Sequence, residues 1–493
     1  MADNLRQKTV SGLAWSFIDN LANQGITFLV GIILARLITP DDYGMIGVIL
    51  IFIALFNSIV DSGFSNALIR KKEATNLDYN TIFFVNLGVS LILYVLLFVF
   101  SPYVGIFFHQ SKLDILLKVT GVIVILNAFT IIQRTILVKA IDFKTQAKAS
   151  LISSILSGAG GIAAAVAGWG VWSLVLQQIL RQFLYTLVLW ISAHWRPSFQ
   201  FSFSSLKDLF GFGWKIALSG IITTLWRELY QIVIGRYYSI ASLGQYTRAK
   251  QFSDGVTYGL LTVIQRVSFP SLSAIQDEKE RLKSVIRRIN KTTMYVMAPV
   301  LIGLAACSKT LLEVLIGSQW GDAAEYLQII CLGMIFSPLR ILDENVLQVK
   351  KDSSMVLILN IVGKAFAVVP IILGIMYNIK IMLIASAVIS VFILTPLTII
   401  FSTKKYLNYG VMDHVKDLGK IFTISIIMGC IVYALQLLPI PTIVILTLQI
   451  LSGVLFYIVA SKLLKVDAYD DTKEICLSYL KHIKKHIKNK KQF

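Results

Sequence analysis

Apolar residues run in long unbroken stretches along this chain, interrupted at short intervals by small polar and charged segments. A helix needs about 20 mostly apolar residues to cross a bilayer. Fourteen stretches meet that length, near 11–36, 43–69, 81–108, 115–138, 149–169, 171–193, 211–235, 252–275, 292–316, 323–348, 354–377, 380–401, 421–437 and 441–463. The pair over 149–193 is separated only by Gly168-Trp169-Gly170. The pattern predicts an all-α polytopic membrane protein with about 14 transmembrane helices. The polar N-terminus and a full-length first apolar stretch without a small-residue cleavage site predict no cleavable signal peptide.

Composition agrees with the pattern. Of 493 residues, 56% are apolar and only 15% charged, and the mean hydropathy is +0.73. Soluble domains carry roughly 25% charge. The formal net charge of +19, from 46 Lys+Arg against 27 Asp+Glu, raises nucleic acid as a partner. Nucleic-acid binders, however, set their charge on a polar, solvated fold, whereas here it punctuates apolar runs. A membrane surface is the better partner and no nucleic acid is expected. With the N-terminus cytoplasmic and fourteen helices following, inside segments hold 31 Lys+Arg and outside segments 7, the rest lying in spans. That asymmetry is the positive-inside pattern with both termini cytoplasmic. In the basic tail, Leu480, Ile483 and Ile487 fall at helical spacing among lysines, which reads equally as a surface helix on anionic lipid or as a solubilising end.

The chain also nearly repeats at a period of 200. Residues 35–44 contain Arg36 and Gly44, residues 235–244 contain Arg236 and Gly244, and Trp15 answers Trp214 with a one-residue slip. Each copy ends the first helix of a six-helix block, and an even block repeats in the same orientation. This predicts two parallel-repeat six-helix lobes with a substrate path between them. The expected organisation is an N-lobe over 1–193, a cytoplasmic linker over 194–210, a C-lobe over 211–401, helices 13 and 14 within 402–463 and a basic tail over 464–493.

Ionisable residues inside membrane spans are expensive and default to function. Arg181, Arg227 and Lys364 lie nearest mid-membrane, Asp61, Arg134, Arg266 and Arg340 in the inner half, and Arg36 and Arg236 at the outer mouth. Arg134 and Arg340 read equally as snorkelling side chains. Arg227 beside Glu228 has a structural pair as its lesser reading, and Asp343 with Glu344 read as capping or bridging residues near the inner mouth. Collectively these cations suit an anionic substrate such as a phosphate-bearing one. Asp19, Asp61 and Glu228 are candidates for ion coupling or gating. Small residues from Gly158 to Gly168 permit close or sliding helix contacts, and Pro270, Pro299, Pro338, Pro370 and Pro396 mark kink positions.

Catalytic signatures of nucleotide, metallopeptidase or serine-hydrolase type are absent. Five histidines (His109, His194, His414, His482, His486) form no ligand set, and Cys307, Cys331, Cys430 and Cys476 form no CxxC or Cys/His cluster, three of them reading as small core residues in apolar runs, so no disulfide framework, metal or cofactor is expected. Asp41-Asp42 in the first outside loop resembles the acidic pair of a membrane glycosyltransferase, but Pro40-Asp41-Asp42-Tyr43 reads better as a turn and helix start.

The run from Ala35 to Gly44, Ala-Arg-Leu-Ile-Thr-Pro-Asp-Asp-Tyr-Gly, resembles the signature that ends the first helix of bacterial polysaccharide flippases. Asp61 to Arg70, Phe269-Pro270-Ser271-Leu272 and Gly317-Ser318-Gln319-Trp320 are similar to further stretches of that family. The resemblance is to the Wzx-like branch of the multidrug/oligosaccharidyl-lipid/polysaccharide exporter superfamily. It implies a V-shaped cationic cavity between two lobes. The implied activity is alternating-access movement of an undecaprenyl-diphosphate-linked oligosaccharide across the bacterial inner membrane. It also implies arginines that hold the diphosphate. Arg36 sits in the matched motif, while Arg181, Arg227, Arg236 and Arg266 are assigned by depth alone. Membrane lipids are implied partners, with a polysaccharide polymerase and glycosyltransferases as further candidates. An ion-coupled drug exporter of the same superfamily is the alternative and would want an acidic cavity. A membrane glycosyltransferase or polymerase is a more distant one.

Overall fold

The computed structural model describes residues 2–474 apart from Ser62, Lys72 and His194, and among them there is no strand. The first helices are α1 (Ala2–Leu37), α2 (Pro40–Asp61), α3 (Phe64–Arg70), α4 (Asn76–Phe107), α5 (Lys112–Thr120) and α6 (Val122–Lys139). They are followed by α7 (Phe143–Val166), α8 (Val171–Ser192), α9 (Phe203–Tyr237) and α10 (Ile240–Ser273). Then come α11 (Lys279–Ile316), α12 (Gly321–Met334), α13 (Ser337–Val349), α14 (Ser353–Met376) and α15 (Ile379–Ile389). Two π turns, Ser390–Leu394 and Ile400–Lys404, flank α16 (Thr395–Ile399) and lead to α17 (Lys405–Leu407), α18 (Val411–Ala434) and α19 (Thr442–Leu463).

Short polar side chains start these helices by accepting the otherwise unpaired first N–H groups. Thr75 accepts from Asp78 N at 3.3 Å, Asp142 from Thr145 N at 3.1 Å, Asp352 from Met355 N at 3.1 Å and Asn378 from Ile381 N at 2.9 Å. Ser202 does the same for Ser205 N at 3.3 Å, so 203–210 of the stretch expected as linker is already helix. Thr39 Oγ1 accepts from Asp42 N at 3.3 Å, with Asp41 and Asp42 in the first turn of α2. Both acids therefore complement the helix dipole, as the turn reading requires.

Among the described residues, twelve helical segments are long and apolar enough to cross a membrane, and the bent Phe203–Tyr237 makes thirteen. The one remaining expected span, near 252–275, corresponds to α10, which is 34 residues long but carries Arg248, Lys250, Asp254 and Arg266. The chain is a multi-pass membrane protein. Large apolar side chains stand exposed along single faces, as at Ile92, Val95, Val99, Tyr103 and Ile106 of α4 and Leu451, Val454, Leu455 and Ile458 of α19. In water such surfaces would drive association; in a bilayer they meet hydrocarbon. The expected amphipathic tail around Leu480, Ile483 and Ile487 lies outside the described residues.

The chain forms two compact units, Met1–Thr247 and Arg248–Phe493. In the first, α1, α7 and α8 pack closely, and the glycines expected to permit this do so. A Cβ on Gly158 would fall 2.5 Å from Val30 Cγ2 and one on Gly161 2.9 Å from Gln177 Cβ. Helix α9 packs on α2, α3 and α4 in this same unit. The repeat partners Gly44 and Gly244 meet in space. A Cβ on Gly44 would lie 1.8 Å from the carbonyl oxygen of Ile240, and one on Gly244 would lie 1.9 Å from that of Pro40. Pro40 and Ile240 are themselves 200 residues apart, so the starts of α2 and α10 cross with matched residues on both sides. In the second unit, Gln449 of α19 donates to Val432 O of α18 at 2.8 Å and accepts from Thr310 of α11 at 2.5 Å. Helices 13 and 14 of the sequence reading are thereby tied to α11 by a buried polar bridge.

Candidate functional site

In the first unit a polar cluster sits inside three apolar helices, α1, α7 and α8. Asn23 of α1 donates to Ser150 of α7 and accepts from Ser154 one turn further on. Arg181 Nη2 of α8 reaches the same Asn23 oxygen at 3.5 Å. Asp19, one turn before Asn23, interacts with Ser150 and lies within electrostatic reach of Arg181, and its Oδ1 finds no donor among the described residues. Tyr185, one turn beyond Arg181, lies within electrostatic reach of both Asp19 and Arg134. The sequence arranges this simply. Asp19/Asn23, Ser150/Ser154 and Arg181/Tyr185 are i,i+4 pairs, and each puts two polar groups on one stripe of its helix. The charge at Arg181 is thus countered by Asp19 and solvated by Asn23, which lowers the cost of holding it in the membrane.

A second chain of polar groups runs through α9 into α10. Arg227 Nε donates to Glu228 Oε1 at 2.8 Å, Gln231 donates to the other oxygen of Glu228, and Thr247 reaches Gln231 Oε1 at 3.4 Å. Glu228 is 9% exposed while the Arg227 side chain is 58% exposed, so the pair leaves a cation presented to the surroundings and its carboxylate underneath.

The remaining candidates are dispersed. Arg36 and Arg236 each occupy the last turn of the first helix of their repeat, where the helix dipole favours a cation. Arg36 is exposed. Arg236 Nη1 lies 2.9 Å from His109 Nδ1, with its guanidinium 5.0 Å from the Phe107 ring centroid. Asp61 ends α2 and accepts from Ser65 at 2.5 Å, closing the corner made by Gly63 at φ 68°. Arg134 is exposed on α6, and Arg340 lies within electrostatic reach of Glu344 on α13. Lys364 is half-buried near the middle of α14 and has no hydrogen bond or ion pair among the described residues. The side chain of Arg266 lies outside the described residues.

Arg248, expected in an outside loop, is 6% exposed within α10, because that helix already begins at Ile240. Its Nη1 donates to Gln251 Oε1 at 2.7 Å and its guanidinium lies 5.9 Å from the Trp320 ring centroid. No group of histidine, cysteine and carboxylate residues that could hold a metal occurs among the described residues.

A family model described as polysaccharide biosynthesis protein matches residues 33–325 of the sequence. The chain belongs to this family. Among curated family relatives, the succinoglycan biosynthesis transport protein ExoT of Rhizobium meliloti (strain 1021) is 25% identical over 333 residues, 67% of each chain. The lipopolysaccharide biosynthesis protein WzxC of Escherichia coli (strain K12) is 27% identical over 342 residues, again 67% of each. The teichuronic acid biosynthesis protein TuaB of Bacillus subtilis (strain 168) is 24% identical over 332 residues, 67% of this chain and 68% of TuaB. Among solved structures, the lipid II flippase MurJ in an inward closed conformation matches with a TM-score of 0.75 at 17% identity, covering 92% of this chain and 99% of that one. An inward-facing multidrug resistance MATE family transporter of the MOP superfamily matches with a TM-score of 0.58 at 16% identity, covering 80% of this chain and 96% of that one. At these identities the two structures speak for the fold. The family match spans the Arg36–Gly44 run, so the segment that carried the sequence resemblance lies within it.

Proposed function

We propose that this polysaccharide biosynthesis family member moves a diphosphate-bearing, lipid-linked oligosaccharide, carried on undecaprenol, from the inner to the outer leaflet of the bacterial inner membrane. It works as a transporter by alternating access, with both termini cytoplasmic. The observation that carries the reading is the cluster around Arg181: a cation inside membrane helices, solvated by Asn23 and balanced by one acid. Arg227 supports it, since its side chain is largely exposed beside a buried Glu228. In this reading Arg181, Arg227, Arg36 and Arg236 hold the diphosphate, with Lys364, Arg134, Arg266 and Arg340 adding positive field. Carrying an unpaired phosphate through hydrocarbon would have a prohibitive Born cost. Asp19, Glu228 and Asp61 are the acids available to couple an ion; Asp19 is best placed, because it faces Arg181.

The lipid part of such a substrate needs an apolar path. An apolar cavity of about 520 Å³ lies among α11, α18 and α19, lined by residues such as Val296, Val300, Leu304, Ile450 and Val454. It supports accommodation of a prenyl chain beside the second unit. Outward transfer of two negative charges from a negative interior gains about 4.6 kcal/mol per 100 mV, twice the single-charge value. In this reading membrane potential supplies the drive, and proton or sodium coupling through Asp19, Asp61 or Glu228 is its rival. The test is complementation of a flippase-null strain by wild type, Arg181→Ala and Arg227→Ala. Restored export by wild type and failure by both variants at equal membrane abundance is expected. Export by both variants would sink the cationic-site reading, and wild-type drug efflux without export would favour the drug exporter.

A further inference from the structure

The second unit contains a buried ionisable group that the transport reading does not use. His414, in the first turn of α18, is 2% exposed, and Asp343 of α13 and Asn290 of α11 are fully buried. His414 Nδ1 lies 2.9 Å from the carbonyl oxygen of Gly410, one turn earlier. A carbonyl only accepts, so Nδ1 carries a hydrogen. The proton state of the ring is therefore decided at Nε2. That atom lies 3.5 Å from Asp343 Oδ2 and 3.4 Å from Asn290 Nδ2. Asn290 Nδ2 also donates to Asp343 Oδ1 at 3.1 Å, while Asp343 Oδ2 finds no hydrogen-bond donor among the described residues.

Two states follow. With Nε2 bare, its lone pair faces the carboxylate oxygen, and the Asn290 amide alone serves both groups. With a proton taken from solvent onto Nε2, the ring donates a charge-assisted hydrogen bond to Asp343 Oδ2, and a fully buried carboxylate gains its counter-charge. The surrounding charges do not do this instead. Asp417 of α18 accepts from Arg287 of α11 and from Tyr409 at 2.9 Å, and lies 3.4 Å from Lys291. Asp413 of α18 accepts from Gly410 N at 2.8 Å, Arg340 and Glu344 of α13 lie within reach of each other, and Lys404 approaches from the π turn before α17. The Tyr409 ring lies 4.0 Å from the imidazole, centroid to centroid, and closes that side to water.

We propose that His414, Asp343 and Asn290 form a proton-binding site in the second unit, whose occupancy clasps the start of α18 to α11 and α13. The ligand is a proton, and the site is independent of what the protein carries. The test is hydrogen–deuterium exchange over the first turns of α18 in the full chain in lipid nanodiscs. Readings at about pH 5.5 and about pH 8.5, corrected for intrinsic exchange, bracket the histidine range. Wild type is expected to exchange roughly tenfold more slowly at the lower pH. His414→Gln keeps a donor at the same place and is expected to be protected equally at both. Asp343→Asn is expected to lose the pH response as well, and decides the matter if the glutamine variant does not fold. Wild-type protection that ignores pH, or a glutamine variant that keeps the wild-type response, would overturn the proposal. So would a change on replacing potassium by sodium at fixed pH, which would mark a cation site instead.

Discussion

Substituting Gly44 by alanine places a methyl group 1.8 Å from the carbonyl oxygen of Ile240, where contacts under 3.0 Å do not occur in real structures. The neighbour is backbone in a helix start, not a flexible side chain, so α2 and α10 must separate by more than an ångström. Overpacking of this kind costs about 1–3 kcal/mol. Gly244→Ala meets Pro40 O at 1.9 Å and should cost the same. Because both methyl groups enter one crossing, separation forced by the first relieves the second. The double variant should then lose less than the sum, with a coupling of about 0.5–3 kcal/mol. Gly88→Ala on α4 is the control: nothing lies within 4 Å of its Cβ. Removing a helical glycine there should leave stability unchanged or raise it by about 0.5–1 kcal/mol. Thermal unfolding of the purified chain in one detergent compares all four variants with wild type. The reasoning is refuted if Gly44→Ala and Gly244→Ala both fall within about 0.5 kcal/mol of wild type, or if their effects simply add.

Gln449→Leu removes the bridge from α19 to Val432 and Thr310 and leaves buried groups unpaired, which should cost about 1–3 kcal/mol in the same melt. Asn23→Ala should lower flipping in liposomes less than Arg181→Ala does, because Asn23 positions and solvates the guanidinium without carrying charge; equal losses would make Asn23 part of the binding set itself. At the start of α14, Tyr406 (2.6 Å), Lys405 (3.0 Å) and the Met355 amide hold the Asp352 carboxyl down at about 2, below its ordinary 3.8. Its contribution to stability is complete above pH 3.8 and fades as pH falls through about 2. Asp352→Ala should therefore lower the melting temperature at neutral pH and converge with wild type in strong acid.

The span pattern was readable because hydrocarbon imposes a length and a polarity on each helix, and those leave a plain trace in sequence. Helix α10 shows the limit, since a span carrying Arg248 and Asp254 is apolar only in parts. Arg36 was found through its motif and Arg181 through its isolation in an apolar run. Asn23, Ser150 and Ser154 were missed because uncharged polar residues are common in membrane helices. The available signal was their i,i+4 spacing opposite Asp19 and Arg181. The pairing of His414 with Asp343 was missed for another reason: they are 71 residues apart in sequence, and only helix packing shows that they touch. Gly44 and Gly244, matched 200 residues apart in sequence, meet at one crossing that leaves no room for a side chain, a reason for glycine at both that sequence alone does not show.

The central claim is that a cation inside the first unit holds an anionic lipid-linked substrate driven outward by membrane potential. It is tested most directly by flipping of a fluorescent undecaprenyl-diphosphate oligosaccharide in proteoliposomes under an imposed potassium-diffusion potential, without proton or sodium gradients. Wild-type flipping that rises with interior-negative potential, and is lost in Arg181→Ala, is the predicted result. Flipping indifferent to potential, or undiminished in Arg181→Ala, would contradict it.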